Sequence, residues 1–260
     1  RFQVPGAQYD PLVRAGKWDG YKKLYNRKTR RMYTGLLFQL LSFCDEKGLS
    51  TYIDPDLIPD SDALEDEDLD QLIELFQPHS DGKPIEPFDY QREAVKYMIS
   101  MDRSTCLAAT SAGKSLMLYL AVRTYQLLDE MNDKTIFIVV PSISLVEQMY
   151  NDFKDYSTFE GSKWSVGSHV QKISGKYSKQ VEKQIVITTW QSMDKLPHSL
   201  YEDLGAIFVD ETHTASAKVL TNILERCTTT PHRHGLTGTL DGSECNQMVI
   251  EGLLGPIKRI

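Results

Sequence analysis

An apolar run from Thr105 to Ala108 leads straight into Ala109-Thr110-Ser111-Ala112-Gly113-Lys114-Ser115, and then into Leu116-Met117-Leu118-Tyr119-Leu120. No other stretch narrows the possible folds so far. A strand, a loop of small residues, Gly-Lys-Ser and a helix form a phosphate cradle. Small side chains let successive backbone N–H groups wrap the anion, and the helix N-terminus adds its positive dipole end. Thr110, Ser111, Ala112 and Gly113 then line the loop, Lys114 reaches the β and γ phosphates, and the Ser115 hydroxyl ligates Mg2+. Ala108 stands where the general pattern has its first glycine. The competing reading is a chance Gly-Lys-Ser in an ordinary loop, which the flanking strand and helix patterns disfavour.

A nucleotide hydrolase also needs a carboxylate at the end of a second buried strand, to hold the metal and activate water. Ala206-Ile207-Phe208-Val209-Asp210-Glu211-Thr212-His213 supplies it. Asp210 would hold Mg2+, Glu211 would orient or deprotonate the attacking water, and His213 gains meaning from its place in Asp-Glu-x-His. Further apolar runs at Ile136 to Val140, Ile185 to Thr189 and Gly235 to Leu236 alternate with helical patterns. Runs this apolar suit strands buried on both faces of a parallel sheet, with helices as crossovers. The expected class is therefore α/β. The 260 residues leave room for one to two domains, and no apolar run nears the roughly 18 residues of a membrane span. Cys44, Cys106, Cys227 and Cys245 are widely spaced without a C-x-x-C pair, which points to neither a zinc knuckle nor a disulfide framework and suits a reducing compartment. No charged-then-apolar leader is visible, so a cytoplasmic location is expected.

The net charge of −7 hides an uneven distribution. Residues 1–48 carry a net +6, residues 49–86 a net −11 and residues 87–260 a net −2. The cations of the first segment crowd into Arg14, Lys17, Lys22, Lys23, Arg27, Lys28, Arg30 and Arg31, interleaved with Trp18, Tyr21, Tyr25 and Tyr33. Such a patch can displace counterions from phosphates and stack bases on its rings. On charge alone, a solvated hairpin face with a structural tryptophan is an equal alternative. The expected structure over 1–53 is a small α+β unit. It would have strands Tyr21 to Tyr25 and Arg30 to Tyr33, then a helix over 35–47 with Leu36, Leu37, Leu40, Leu41 and Cys44 on one face and Gly48 as its stop. A short strand from Ser50 to Ile53 would complete it. The acidic stretch 54–86 reads as a connector carrying one short amphipathic helix, marked by Leu64, Leu69, Leu72, Ile73, Leu75 and Phe76.

Taken in order, these motifs resemble the DExH branch of the superfamily-two helicases. Phe88-Asp89-Tyr90-Gln91 is similar to the segment whose Gln reads the adenine edge, which implies Gln91 as the adenine contact with Tyr90 beside it. Val139 to Gln148 is similar to motif Ia, which implies Pro141 and Ser142 on the nucleic-acid backbone. Ile187-Thr188-Thr189-Trp190-Gln191 resembles the next backbone-contacting segment and implies the same for Thr188, Thr189 and Trp190. Leu236-Thr237-Gly238-Thr239 stands where the family usually has Ser-Ala-Thr, which implies that Thr237 and Thr239 couple hydrolysis to strand movement. Gly16-Lys17-Trp18-Asp19-Gly20, the basic strand after it, Tyr33-Thr34-Gly35-Leu36-Leu37 and Ile85-Glu86-Pro87 narrow the resemblance to the bacteriophage UvsW recombination helicases, from about Tyr9 to Leu240. Asp-Glu-Thr-His here stands where Asp-Glu-Cys-His is expected, a change at a non-liganding position.

The resemblance implies a RecA-like parallel sheet of the P-loop NTPase type over 87–260, preceded by the small α+β domain. It implies ATP and Mg2+ as cofactors. Its partner would be DNA, branched or duplex, gripped without sequence preference at forks, Holliday junctions or displacement loops by a monomer in the host cytoplasm. Arg14, Lys17, Trp18, Lys22, Lys23, Arg30 and Arg31 then become a DNA surface, with Trp18 capping the junction. A DExH RNA helicase would share every motor motif. A P-loop kinase or GTPase has no need of Asp-Glu-x-His with the upstream Gln, nor a non-catalytic module of the full Lys114, Ser115, Asp210 and Glu211 set. In the family ATP lies between two RecA-like domains, the second of which supplies arginine fingers. A chain ending at Ile260 is expected to lack that domain and to turn over slowly, because such a loss costs about 10³ to 10⁵ in rate.

Overall fold

The computed structural model describes residues 2–4, 6–55, 64–159, 162–175, 180–212, 217–239 and 244–260. The basic segment is built from very short pieces. Strand β1 (Phe2–Gln3), helix α1 (Pro11–Arg14), strands β2 (Tyr21–Lys22), β3 (Tyr25–Asn26) and β4 (Arg31–Met32), and helix α2 (Leu37–Glu46) follow in order. The strand expected over 21–25 is two strands: β2 pairs antiparallel with β1, whereas β3 pairs with β4, Tyr25 opposite Met32. The Asn26 side chain closes that hairpin by accepting from the Lys28 and Thr29 amides at 3.0 and 3.2 Å, the local bonding that makes asparagine a turn residue. Residues 50–53 form no strand. The segment rests on the rest of the chain through Leu24 and Tyr33, which pack on a buried apolar cluster, and through polar ties: Tyr33 Oη donates to Glu225 at 2.8 Å, and Gln39 donates to Glu251 at 2.6 Å.

Helix α3 (Asp66–Phe76), the hairpin of β5 (His79–Ser80) and β6 (Lys83–Pro84), and helix α4 (Asp89–Ser100) come next. Acidic Asp66, Glu67 and Asp68 in its first turn suit the positive end of α3. The connector is docked rather than loose. Leu69 and Phe76 are buried in the same apolar cluster as the sheet, and Asp66 and Asp70 pair with Lys96 and Arg92 of α4 at 2.9 and 2.5 Å. Each fully buried apolar side chain of that size contributes about 1.5–3 kcal/mol, far more than the exposed ion pairs.

Then come β7 (Arg103–Leu107), α5 (Lys114–Tyr125), β8 (Thr135–Val140), α6 (Ile143–Tyr156), α7 (Val166–His169), β9 (Val170–Ile173), β10 (Ile185–Thr189), α8 (Trp190–Met193), α9 (Ser199–Glu202), β11 (Leu204–Asp210), α10 (Ala217–Arg226), β12 (His232–Thr237), α11 (Glu244–Leu254) and β13 (Ile257–Arg259). The strands form one sheet in the order β13-β7-β12-β11-β8-β10-β9 with every neighbour parallel. Alternation explains why the runs are apolar throughout. Ile136, Ile138, Ile185, Ile187, Ala206 and Phe208 feed one buried cluster, while Phe137, Val139, Val186, Ile207 and Val209 feed the other. Helices cover both faces, so both sets are dry. Strands β9 and β13 lie at the sheet edges and carry Gln171, Lys172, Lys258 and Arg259, which is why apolar runs did not announce them. All seven strands end on one edge, and the motif-bearing loops gather there.

Candidate functional site

At the end of β7 the Ala108 amide donates to the Thr237 carbonyl of β12 at 2.9 Å, and the loop then turns into α5. Gly113 caps that helix with φ +72, a left-handed backbone that suits glycine, and a Cβ there would fall 2.4 Å from Gln91 Nε2. Gln91 donates to the Ala112 carbonyl at 2.9 Å and accepts from the Phe88 amide at 3.0 Å. Both ends of the amide expected to read adenine are thus engaged, clamping the start of α4 to the phosphate loop. Beside it the rings of Phe88 and Tyr90 stack at 5.6 Å and 16°, both exposed. Thr110 and Ser111 are exposed, and Ala112 is half-buried.

Lys114 is only 7% exposed, and its Nζ pairs with Glu211 Oε1 at 3.0 Å. Asp210, 6% exposed, ends β11. Burial first, then the Glu211 charge, push its carboxyl up to about 6, against the opposing pull of Lys114 and of the Glu211 amide that donates to it at 2.9 Å. Glu211 itself has φ +50, an uncommon backbone for a non-glycine residue and one that marks functional turns. Among the described residues Lys114 thus lies beside two carboxylates where water is largely excluded. Carboxylate and hydroxyl oxygens are the donors Mg2+ takes. The α5 N-terminus and the buried Lys114 suit the phosphates of a nucleotide. Ser115, expected as a metal ligand, here engages other partners: its Oγ lies 2.8 Å from Tyr156 Oη and bonds the Asp152 carboxyl, which burial raises above its ordinary range. Sequence reasoning missed Tyr156 and Asp152, since neither belongs to a motif and only the packing of α6 on α5 brings them there.

Pro141 and Ser142 follow β8 at the same sheet edge, where Ser142 Oγ caps α6 by accepting from the Leu145 amide at 3.3 Å. Thr188, Thr189 and Trp190, expected on the nucleic-acid backbone, turn their side chains into the protein. Trp190 is 3% exposed in the core. Thr188 donates to the Ile173 carbonyl at 2.7 Å, and Thr189 caps α8 by accepting from the Ser192 amide. With β8 and β9 on either side of β10, these side chains turn inward and hold the corner together. Thr237 donates to the Thr239 carbonyl at 2.8 Å, and a Cβ on Gly238 would stand 3.0 Å from Thr110 Oγ1. The expected coupling segment thus leans on the phosphate loop. His213 lies outside the described residues. In the basic segment Arg14, Lys17, Lys23, Arg30 and Arg31 are exposed, with Lys23 paired to Asp19 at 3.1 Å. Lys22 belongs to β2, and its side chain lies outside the description. Trp18 is half-buried and donates its indole N–H to the Tyr21 carbonyl at 3.1 Å, which ties its ring edge to the turn.

A parallel sheet that brings a phosphate cradle, a buried lysine and an acidic pair to one edge defines a RecA-like P-loop motor domain. Residues 84–242 match the family described as Type III restriction enzyme, res subunit. The chain is 33% identical over 262 residues to the ATP-dependent DNA helicase uvsW of Enterobacteria phage T4, covering 98% of this chain and 50% of that protein. The crystal structure of the UvsW helicase from bacteriophage T4 superposes with a TM-score of 0.86 at 31% identity, over 100% of this chain and 89% of that one. The chain belongs to this family, as a member of the UvsW helicases. A DNA 3'-5' translocase XPB2 of Sulfurisphaera tokodaii is 26% identical over 73% of this chain and 40% of its own length. The SWI2/SNF2 ATPase core of Sulfolobus solfataricus shares the fold at 16% identity, with a TM-score of 0.51 over 65% of this chain and 37% of that one. The chain spans half or less of the length of these curated relatives. Among the described residues no helix is long and apolar enough to cross a membrane.

Proposed function

We propose that the chain is the nucleotide-binding and DNA-binding portion of an ATP-dependent DNA helicase or translocase that remodels branched DNA in recombination, replication and repair. The observation that carries this reading is the Lys114–Glu211 pair beside the buried, protonation-prone Asp210 at the mouth of the phosphate loop. In it Lys114 exchanges Glu211 for the β and γ phosphates. Glu211, so released, holds and deprotonates the attacking water. Asp210 and Ser115 would hold Mg2+, which would supply positive charge to the transferring phosphoryl group. Contact between Gly238 and Thr110 supports a coupling role for Thr237 and Thr239.

DNA is preferred over RNA because the relatives above are named as DNA helicases or translocases, and because the exposed cations suit phosphates without base readout. In this division residues 1–53 bind DNA, 54–86 connect and 87–260 form the first motor domain, working as a monomer in the host cytoplasm. Replacing Lys114 by Ala in the complete protein is expected to cut ATP turnover by about 10³ or more while leaving DNA affinity without nucleotide unchanged. Unwinding or annealing that survives the Lys114→Ala change would overturn the motor reading in favour of a scaffold.

A further inference from the structure

Beside the hairpin of β3 and β4 lies a concavity of about 490 Å³, lined by Lys23, Leu24, Tyr25, Asn26, Arg27 and Lys28. Its size falls within the roughly 300–1,000 Å³ of small-ligand sites. The walls are of three chemical kinds. Leu24 packs against the buried cluster behind it, which anchors the floor. Tyr25 as a residue is 48% exposed, while its backbone is held in the strand pair with Met32. Arg27 and Lys28 stand exposed at the tip. Asn26, also in the lining, commits its Oδ1 to the turn, and its side-chain amide carries N–H donors besides.

An apolar floor, one open ring, an amide donor and rim cations match the parts of a single nucleotide. The ring takes the face of a base, and the cations take its phosphates. A base inside a duplex has both faces covered by its neighbours and cannot lie on the ring. Tyr25 is the aromatic residue that lines this concavity together with Arg27 and Lys28, and it is exposed. We infer that this concavity is a binding site for one unpaired nucleotide of a DNA junction, its base on Tyr25 and its phosphates against Arg27 and Lys28. The inference rests on the DNA-binding reading of this segment and assigns the element of branched DNA that it grips.

The test compares a forked DNA with the blunt duplex of the same sequence at one fixed salt concentration, using the full chain. Binding is read by anisotropy, and stacking by the fluorescence of 2-aminopurine at the first unpaired position. The native chain and Tyr25→Phe are expected to favour the fork and to quench the probe. Tyr25→Ala is expected to lose about tenfold in fork affinity along with the quenching, at nearly unchanged duplex affinity. The double change Arg27→Ala with Lys28→Ala keeps the Tyr25–Met32 pairing, guards against misfolding of the first variant and should also lose the quenching. Equal losses on fork and duplex, or full quenching by Tyr25→Ala, would overturn the pocket. A native chain that binds both DNAs equally without quenching overturns the pocket alone, whereas one that binds neither overturns the DNA-binding reading as well.

Discussion

The nucleotide edge of the sheet and the basic hairpin both collect charge, but under opposite conditions. Lys114, Asp210 and Glu211 are largely removed from water and bonded to one another, whereas Arg27, Lys28, Arg30 and Arg31 stand in solvent on and beside two-residue strands. Charges in a low dielectric interact strongly and tolerate little displacement, so the first site demands one backbone path, with Gly113 and Glu211 both at positive φ. Exposed charges act through sign and number, screened over about 10 Å. The first region is therefore a site of geometry and the second a site of field, except where Tyr25 adds a shaped surface.

The largest effect that would sharpen this contrast is expected at Gly113. Gly113→Ala forces a Cβ onto a left-handed residue and against Gln91, and should destabilise the chain by about 2–3 kcal/mol in denaturant unfolding. An unchanged midpoint would mean the loop is not held as described. Next comes Asp210→Asn. The native carboxyl is raised from 3.8 to about 6, so its ionised form is disfavoured in the fold. The penalty is full above pH 6 and fades as pH falls toward 4. The variant without nucleotide should therefore be more stable by about 1–3 kcal/mol at pH 8 and match the native chain near pH 4. A loss at pH 8 would contradict the electrostatics.

Trp18→Ala should lower stability by about 1 kcal/mol and weaken fork and duplex by the same factor. A fork-specific loss would restore the ring to the junction. The smallest effect is expected for Arg27→Ala with Lys28→Ala on plain duplex, where the slope of log affinity against log salt should become shallower by about 1–2. Nucleotide affinity should not move. A change in nucleotide affinity would break the separation of the two regions.

What could be read from the amino acids follows the same divide. Strands β7, β8, β10 and β11 and the pair of Lys114 with the Asp210–Glu211 acids were legible because burial on both faces and phosphate chemistry each allow few residue types. The edge strands β9 and β13 were not, since an edge tolerates Gln171 and Lys258. Nor was the break of 21–25 into two strands, which depends on Phe2 and Gln3 arriving from far along the chain. Thr188, Thr189 and Trp190 matched a backbone-contacting motif, yet their side chains bond and pack inward, which pattern alone does not reveal. The hold of Tyr156 and Asp152 on Ser115 is a product of helix packing and leaves no spacing signature.

The central claim, a nucleotide site whose turnover answers to branched DNA, is tested most directly by ATP hydrolysis of the complete native protein with forked DNA, plain duplex and matched RNA at one salt concentration. Stimulation is predicted to be strongest with the fork, weaker with duplex and absent with RNA. Stimulation by RNA alone, or by none of the three, would contradict it.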